Sequence, residues 1–213
     1  MLETTKSYYD HRGPVLVKNL KSRHFDAWYC STREEALAKA LELIPKGASV
    51  GWGGCKSAEQ IGLVDAVKSA GEYQVVDRYA TKTPEEFAAA MKKCLTVNVF
   101  IAGANALSMD GQMVNIDGVG NRLAAITYGP DSVIIVAGMN KVMDTLEAAW
   151  NRARTVAAPV NNQRFDNENP CKFTGQCANC KMETSICNQF LITRNCRPAG
   201  RIKFILVGED LGF

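Results

Sequence analysis

Short apolar runs recur along the chain, separated by longer segments in which apolar residues repeat at helical spacing. Ala48–Trp52, Tyr73–Val76, Val97–Ala102, Ser132–Ala137 and Arg201–Val207 have the length and composition of buried strands. Phe25–Cys30, short and aromatic, suits a strand or a helix end. Thr32-Arg33-Glu34-Glu35 has capping-box spacing, and Ala36, Leu37, Ala40, Leu41 and Ile44 then share one face. A helix over Ser57–Ser69 presents Ile61, Val64 and Val67 inward. Thr83-Pro84-Glu85-Glu86 starts another helix, with proline at its first position, and a further one spans Met143–Arg154. The segment Thr5–Arg23 suggests a helix or an extended arm, interrupted at His11-Arg12-Gly13-Pro14. Strands alternating with helices predict an α/β domain with a mostly parallel sheet covered by helices.

From Pro159 the pattern turns polar and irregular, then returns to a strand at Arg201. The expected organisation is one α/β domain over residues 1–213, with 159–198 as a small Cys-rich insertion or lid. Net charge is only +3 and spread along the chain, which argues against a nucleic-acid partner. No window approaches the roughly 20 apolar residues of a membrane span, and Met1–Lys6 lacks the apolar core of a secretory signal. A cytoplasmic protein is expected. The sequence leaves open whether it forms a homo-oligomer.

Gly103–Arg122, GANALSMDGQMVNIDGVGNR, lies between two strand signals and is rich in Gly, Asn and Asp. Such residues suit a loop that grips a small polar ligand, and equally hairpin turns at Asp110-Gly111 and Asp117-Gly118 around a strand Met113–Ile116. Gly51-Trp52-Gly53-Gly54 and Gly138-Met139-Asn140-Lys141 also follow strands. In parallel sheets ligands collect beyond the carboxyl ends of strands, so the three loops are expected to meet at one edge. Gly53, Gly54, Ser57, Asn105, Asn115, Asn121, Arg122, Asn140 and Lys141 are the candidate binders of a carboxylate or phosphate. Arg122 suits bidentate pairing. Asp117 is either a base or a turn cap.

Five of the eight cysteines crowd into one region: Cys171, Cys177, Cys180 and Cys187 in a C-x5-C-x2-C-x6-C pattern, with Cys196 nine residues on. In a reducing compartment such a cluster points to metal ahead of free or redox-active thiols and, last, disulfides, and four thiolates suit structural zinc or an iron–sulfur cluster. Cys196 is the expected spare. Cys55, at a predicted helix start, is a site where a thiol pKa tends to fall. With only His11 and His24 available, both far upstream, a Cys–His dyad is unsupported.

Together, Gly51-Trp52-Gly53-Gly54, Gly103-Ala104-Asn105-Ala106, Asn115-Ile116-Asp117-Gly118, Gly120-Asn121-Arg122, Gly138-Met139-Asn140-Lys141, Pro170-Cys171 to Cys187 and Glu209–Phe213 resemble the lactate-utilisation (LUD) domain family. The likeness runs from about Thr32 to Phe213 and departs at Cys55-Lys56-Ser57, where many relatives carry Ser-Met-Thr. The resemblance implies a three-layer α/β/α fold of the ribose-5-phosphate isomerase and CoA-transferase kind. It also implies a role in oxidation of L-lactate or a related 2-hydroxy acid beside an iron–sulfur partner protein, possession of a [4Fe-4S] cluster in preference to zinc, and work as an oxidoreductase component. One alternative is an isomerase- or transferase-like enzyme on a sugar phosphate or acyl-CoA, with Asp117 as candidate base, Arg122 as the other candidate catalytic residue and a structural zinc. Another is a non-enzymatic assembly subunit of a redox complex.

Overall fold

The strand and helix signals resolve into ten strands and nine helices in the computed structural model, which describes residues 1–213. Helix α1 (Glu3–Ser22) leads into β1 (Asp26–Cys30), α2 (Arg33–Glu42) and β2 (Ser49–Trp52). Short helices α3 (Lys56–Gln60) and α4 (Leu63–Ser69) precede β3 (Gln74–Val76), and α5 (Pro84–Lys93) precedes β4 (Val99–Gly103). A hairpin of β5 (Ala106–Ser108) and β6 (Met113–Asp117) follows, then α6 (Asn121–Thr127), β7 (Ser132–Gly138) and β8 (Val142–Met143). Helix α7 (Leu146–Arg152) passes through a π-helical turn into α8 (Ala158–Asn162), and α9 (Pro170–Thr174), β9 (Gln189–Thr193) and β10 (Ile202–Val207) come last.

Six strands form one parallel sheet in the order β1-β10-β7-β4-β2-β3. Alternation along each central strand divides its side chains between two cores. Phe100, Val133, Ile135, Phe204 and Leu206 pack on one face with Leu16 and Leu20 of α1 and Ile126 of α6. Val99, Ile101, Ile134, Val136, Ile205 and Val207 pack on the other with Ala36 and Ala40 of α2 and Leu63, Val64 and Val67 of α4. Strands that bury both faces read as continuous apolar runs, which is why these were visible in the sequence. The result is the expected three-layer α/β/α architecture.

The expected interruption of α1 does not occur: the helix is continuous and Pro14 lies inside it. Tertiary packing overrides the local breaker, since Gly13 faces the Tyr29 ring and Leu16 and Leu20 are fully buried. A Cβ at Gly13 would fall inside the van der Waals envelope of that ring. Gly13→Val should therefore destabilise the protein by about 2 kcal/mol through overpacking. Thermal denaturation checks this, and an unchanged Tm would mean that α1 shifts freely on β1.

Thr32 caps α2 as expected, its hydroxyl accepting from the Glu35 N–H, but the Glu35 carboxylate returns to the Ser31 N–H. The single helix expected over Ser57–Ser69 is two, because Gly62 adopts φ +78° between α3 and α4. The segment 159–198 is not wholly irregular. Its strand β9 pairs antiparallel with β6, completing a second sheet in the order β8-β5-β6-β9. No helix is long and apolar enough to cross a membrane.

Candidate functional site

Strands β2, β4 and β7 are parallel and adjacent in the sheet order, with β4 between the other two, so the loops that follow them emerge at one edge, as the strand-end argument requires. A cavity of about 530 Å³ lies there. The turn after β2 contributes Gly54, Cys55, Lys56 and Ser57, and the loop after β4 contributes Gly103, Ala104 and Asn105. Asp117, Asn121 and Arg122 come from the end of β6 and the start of α6, and Lys141 from the turn after β7. Gly53, Asn115 and Asn140 stand behind the wall.

Those three are framework residues with definite jobs. A Cβ on Gly53 would come within 2.9 Å of Arg122 Cγ, so glycine lets the arginine lie flat against the turn. Asn115 Nδ2 donates to Gly103 O at 3.0 Å, and its Oδ1 accepts from Asn105 N at 3.2 Å. Asn140 Oδ1 accepts from Leu211 N at 3.1 Å. Arg152, also behind the wall, ties two loops together by donating to Asn105 O at 2.7 Å and Asn140 O at 3.2 Å.

Arg122 is only 9% exposed, and its guanidinium is committed to the protein. It donates to Ile116 O at 2.6 Å, Asn105 Oδ1 at 3.0 Å and Gly103 O at 3.5 Å, and its Nε lies 3.3 Å from Asp117 Oδ1. The other oxygen of Asp117 accepts from the backbone N–H of Arg122 at 3.1 Å and of Leu123 at 3.4 Å. Asp117 thus acts as a cap for α6 and as the counter-ion of Arg122, with Gly120 at φ +90° making the turn between them. Both of its oxygens are occupied, which is the turn-cap geometry and not that of a free base. Asn105 Oδ1 is held by Ile116 N and Arg122, whereas its Nδ2 makes no protein hydrogen bond and lies at the cavity.

Lys141, 5% exposed, donates to Ser57 Oγ at 3.0 Å and Ala104 O at 3.2 Å. Burial, with Arg152 and Arg122 nearby, pulls its ammonium down to about 8. Cys55 is fully buried, and its Sγ accepts from Ala58 N at 3.3 Å. Its pKa is raised, not lowered: burial outweighs the helix start and the nearby lysine and arginine.

The opposite wall comes from residues that no strand-end argument reaches. Arg78 lies 4.8 Å from the Tyr79 ring centroid and 5.8 Å from that of Phe87, donates to Tyr79 Oη at 2.8 Å, and leaves its buried Nε without a partner. Arg164 lies 5.8 Å from the Phe165 ring and 5.9 Å from the Phe213 ring, and donates to Asn161 Oδ1 at 3.1 Å. Neither guanidinium has a carboxylate partner. Their only sequence signal is an aromatic residue next to each arginine, too common a pairing to single them out.

Glu183–Ile186, between Cys180 and Cys187, closes the remaining side. Asn169 holds this stretch by donating to Thr184 O at 2.9 Å, and Asn188 N donates to Asp117 O at 2.9 Å. Behind it Cys171 and Cys187 are raised in pKa, first by burial and then by the neighbouring thiols, Cys187 to about 11. The four thiols therefore share one neighbourhood and form a donor set suited to soft metal, although no three stand in ligating range in this arrangement. Cys196 is apart from them, buried in the core on the α1 side of the sheet with its Sγ accepting from Ile202 N at 3.3 Å.

The family model of the LUD domain matches residues 14–207. Comparison with curated proteins gives no match. Among solved structures, a DUF162 family protein from Deinococcus radiodurans is similar at 12% identity and TM-score 0.52, over 95% of this chain and 97% of that one, a likeness of fold. Ribose 5 phosphate isomerase A from Neisseria gonorrhoeae is similar at 19% identity and TM-score 0.35, over 54% of each chain. For 5-methylthioribose 1-phosphate isomerase from Pyrococcus horikoshii the values are 13% and 0.39, over 76% of this chain and 51% of that one. The family match spans most of the domain, including the loops around the cavity and the four-thiol segment, and on it the chain belongs to the LUD domain family.

Proposed function

We propose that this LUD-domain protein serves lactate or related 2-hydroxy-acid utilisation by binding a small carboxylate- or phosphate-bearing ligand in the strand-edge cavity. The observation that carries this is the charge balance of the walls. Lys56, Arg78, Arg122, Lys141 and Arg164 face only Asp117 and Glu183. Asp117 is already paired with Arg122, and Lys56 with Glu59, which leaves Arg78 and Arg164 as uncommitted guanidiniums. Each lies within cation–π range of two aromatic rings, and a guanidinium without a carboxylate partner suits two-point contact with a carboxylate or phosphate. Asn105 Nδ2 adds a neutral donor on the facing wall. Arg122 acts in this reading by fixing the loop that presents Asn105.

Cys171, Cys177, Cys180 and Cys187 are the residues that would hold an iron–sulfur cluster, which supplies one-electron transfer when bound. Support comes from the four-thiol donor set and from the wall segment Glu183–Ile186 that joins Cys180 to Cys187. Anaerobic purification followed by iron, sulfide and zinc analysis and a visible spectrum tests this half. Iron and sulfide with a broad visible charge-transfer band are expected. Stoichiometric zinc without that band would sink the redox role and leave the segment as a structural knob.

Thermal-shift measurements with L-lactate, inorganic phosphate and a neutral sugar test the ligand half, because a ligand stabilises the state it binds. The anions should raise Tm and the sugar should not. Arg78→Ala and Arg164→Ala should each weaken anion binding about tenfold or more, the scale of one charge-assisted contact, with little change in Tm of the unliganded protein. Equal shifts in wild type and both variants would remove the arginines from the site.

A further inference from the structure

Lys141 is the one lysine with a buried side chain, and it has no carboxylate partner. Buried ammonium groups are ordinarily matched by an anion, because desolvating an unpaired charge is costly. The groups that face it are the Cys55 thiol ahead of α3, the Arg122 guanidinium from α6 and the Arg152 guanidinium from α7, so positive charge prevails around it. Its two hydrogen-bond contacts are Ser57 Oγ at 3.0 Å and Ala104 O at 3.2 Å. The ammonium donates to both, and once the amine is neutral the Ser57 contact can reverse, the amine still donating to the carbonyl while its lone pair accepts the Ser57 hydroxyl proton. Ser57 is itself 1% exposed, its hydroxyl makes no other hydrogen bond, and both residues line the cavity.

We propose that Ser57 and Lys141 form a serine–lysine nucleophilic pair at the floor of the cavity, acting on an activated acyl group, an ester or thioester of a small acid. A hydroxyl beside a positioned base is the minimal arrangement for acyl transfer, and serine–lysine is a recurring version of it. Lys141 Nζ takes the hydroxyl proton as Ser57 Oγ bonds to the acyl carbon. The carbon–oxygen or carbon–sulfur bond to the leaving group breaks, and Lys141 returns the proton to the departing alkoxide or thiolate. Water then adds to the acyl-serine with Lys141 again taking a proton, which passes to Ser57 Oγ as the acid leaves. The sum is ester plus water giving acid plus alcohol, or thioester plus water giving acid plus thiol, with no change of oxidation state. Burial favours the neutral amine on which this depends, and Lys141 titrates near 8.

The anion-binding role of Arg78 and Arg164 would hold the acid's charged end, and that part alone rests on the preceding reading. The test uses neutral probes, so the two stand or fall separately. The intact protein is treated with an alkyl fluorophosphonate, and the adduct is located by peptide mass spectrometry. Wild type should label at Ser57, with a rate rising about tenfold between pH 7 and pH 9 as the amine loses its proton. Ser57→Ala should abolish the adduct, and Lys141→Met should slow it by about 100-fold or more, the usual contribution of a positioned base. Hydrolysis of p-nitrophenyl acetate should follow the same pH profile. Absence of a Ser57 adduct in wild type, or a labelling rate that is flat between pH 6.5 and 9.5, overturns the proposal, and both readings need only the wild-type chain. Labelling of a folded Lys141→Met protein at the wild-type rate overturns it as well.

Discussion

Arg122→Ala should lower the unfolding free energy by about 3–5 kcal/mol and abolish anion-induced stabilisation, as read by urea denaturation and thermal shift. The side chain is buried, and one guanidinium serves Ile116 O, Asn105 Oδ1, Gly103 O and Asp117. Truncation leaves the Asp117 carboxylate without its counter-ion and removes the guanidinium donor from Ile116 O, and each loss carries a desolvation cost. It also empties the space that Gly53 leaves for the arginine's methylenes. Because Asn105 Oδ1 would lose one of its two anchors, the amide facing the cavity would no longer be fixed, so binding falls with stability. Arg122→Lys keeps the charge but lacks the planar fork that reaches four acceptors, and should recover less than half of the lost stability. A folded alanine variant with wild-type stability would show that the loop from Gly103 to Arg122 is held by its backbone alone.

Lys141→Met should show a stability difference from wild type that changes with pH. The folded amine titrates near 8 against an ordinary 10.5. Between those values the unfolded chain binds more protons than the folded one, so stability contributed by this group rises with pH. It is complete above about 10.5 and is lost as pH falls through 8. The shift corresponds to about 3 kcal/mol, at 1.36 kcal/mol per pKa unit, and the group is buried enough that solvent screening takes away little of it. Unfolding free energies at pH 7 and pH 10.5 should therefore diverge by about that amount in favour of wild type. Cys30 and Cys187, both raised by burial to about 11, act in the opposite sense and lose their contribution as pH rises from 9 to 11. They are present in both proteins and cancel in the difference. A difference that stays constant from pH 7 to 10.5 would mean that the Lys141 amine titrates as an exposed lysine does.

These two residues illustrate what local pattern reading reaches. Arg122 and Lys141 stand out as cations in Gly- and Asn-rich loops after strands, and the structure does place both at the cavity. Their partners were not legible. Lys141 Nζ meets Ser57, 84 positions earlier in the chain, and Arg122 turns inward because Asp117 and two carbonyls accept from it there. Cys55 shows the same limit. A helix start lowers a thiol pKa only while solvent or charge remains nearby, and complete burial reverses the direction.

What the sequence by itself determined is the main strands of the parallel sheet and the helices between them, the caps at Thr32 and Thr83, the family, and the four-thiol spacing. These follow from patterns confined to a few neighbouring residues: period-two and period-3.6 apolar spacing, cap residues, and thiol spacing. Tertiary structure alone decided that α1 runs on through Pro14, that Gly62 divides the helix after β2, and that α6 follows Gly120. It also decided that β9 pairs with β6, which carries Glu183–Ile186 to the cavity opposite the strand-edge loops. The wall that Arg78, Arg164 and this segment complete joins residues more than a hundred positions apart. Its chemistry depends on which side chains packing leaves without partners, a property of the assembled fold and not of any one stretch of chain.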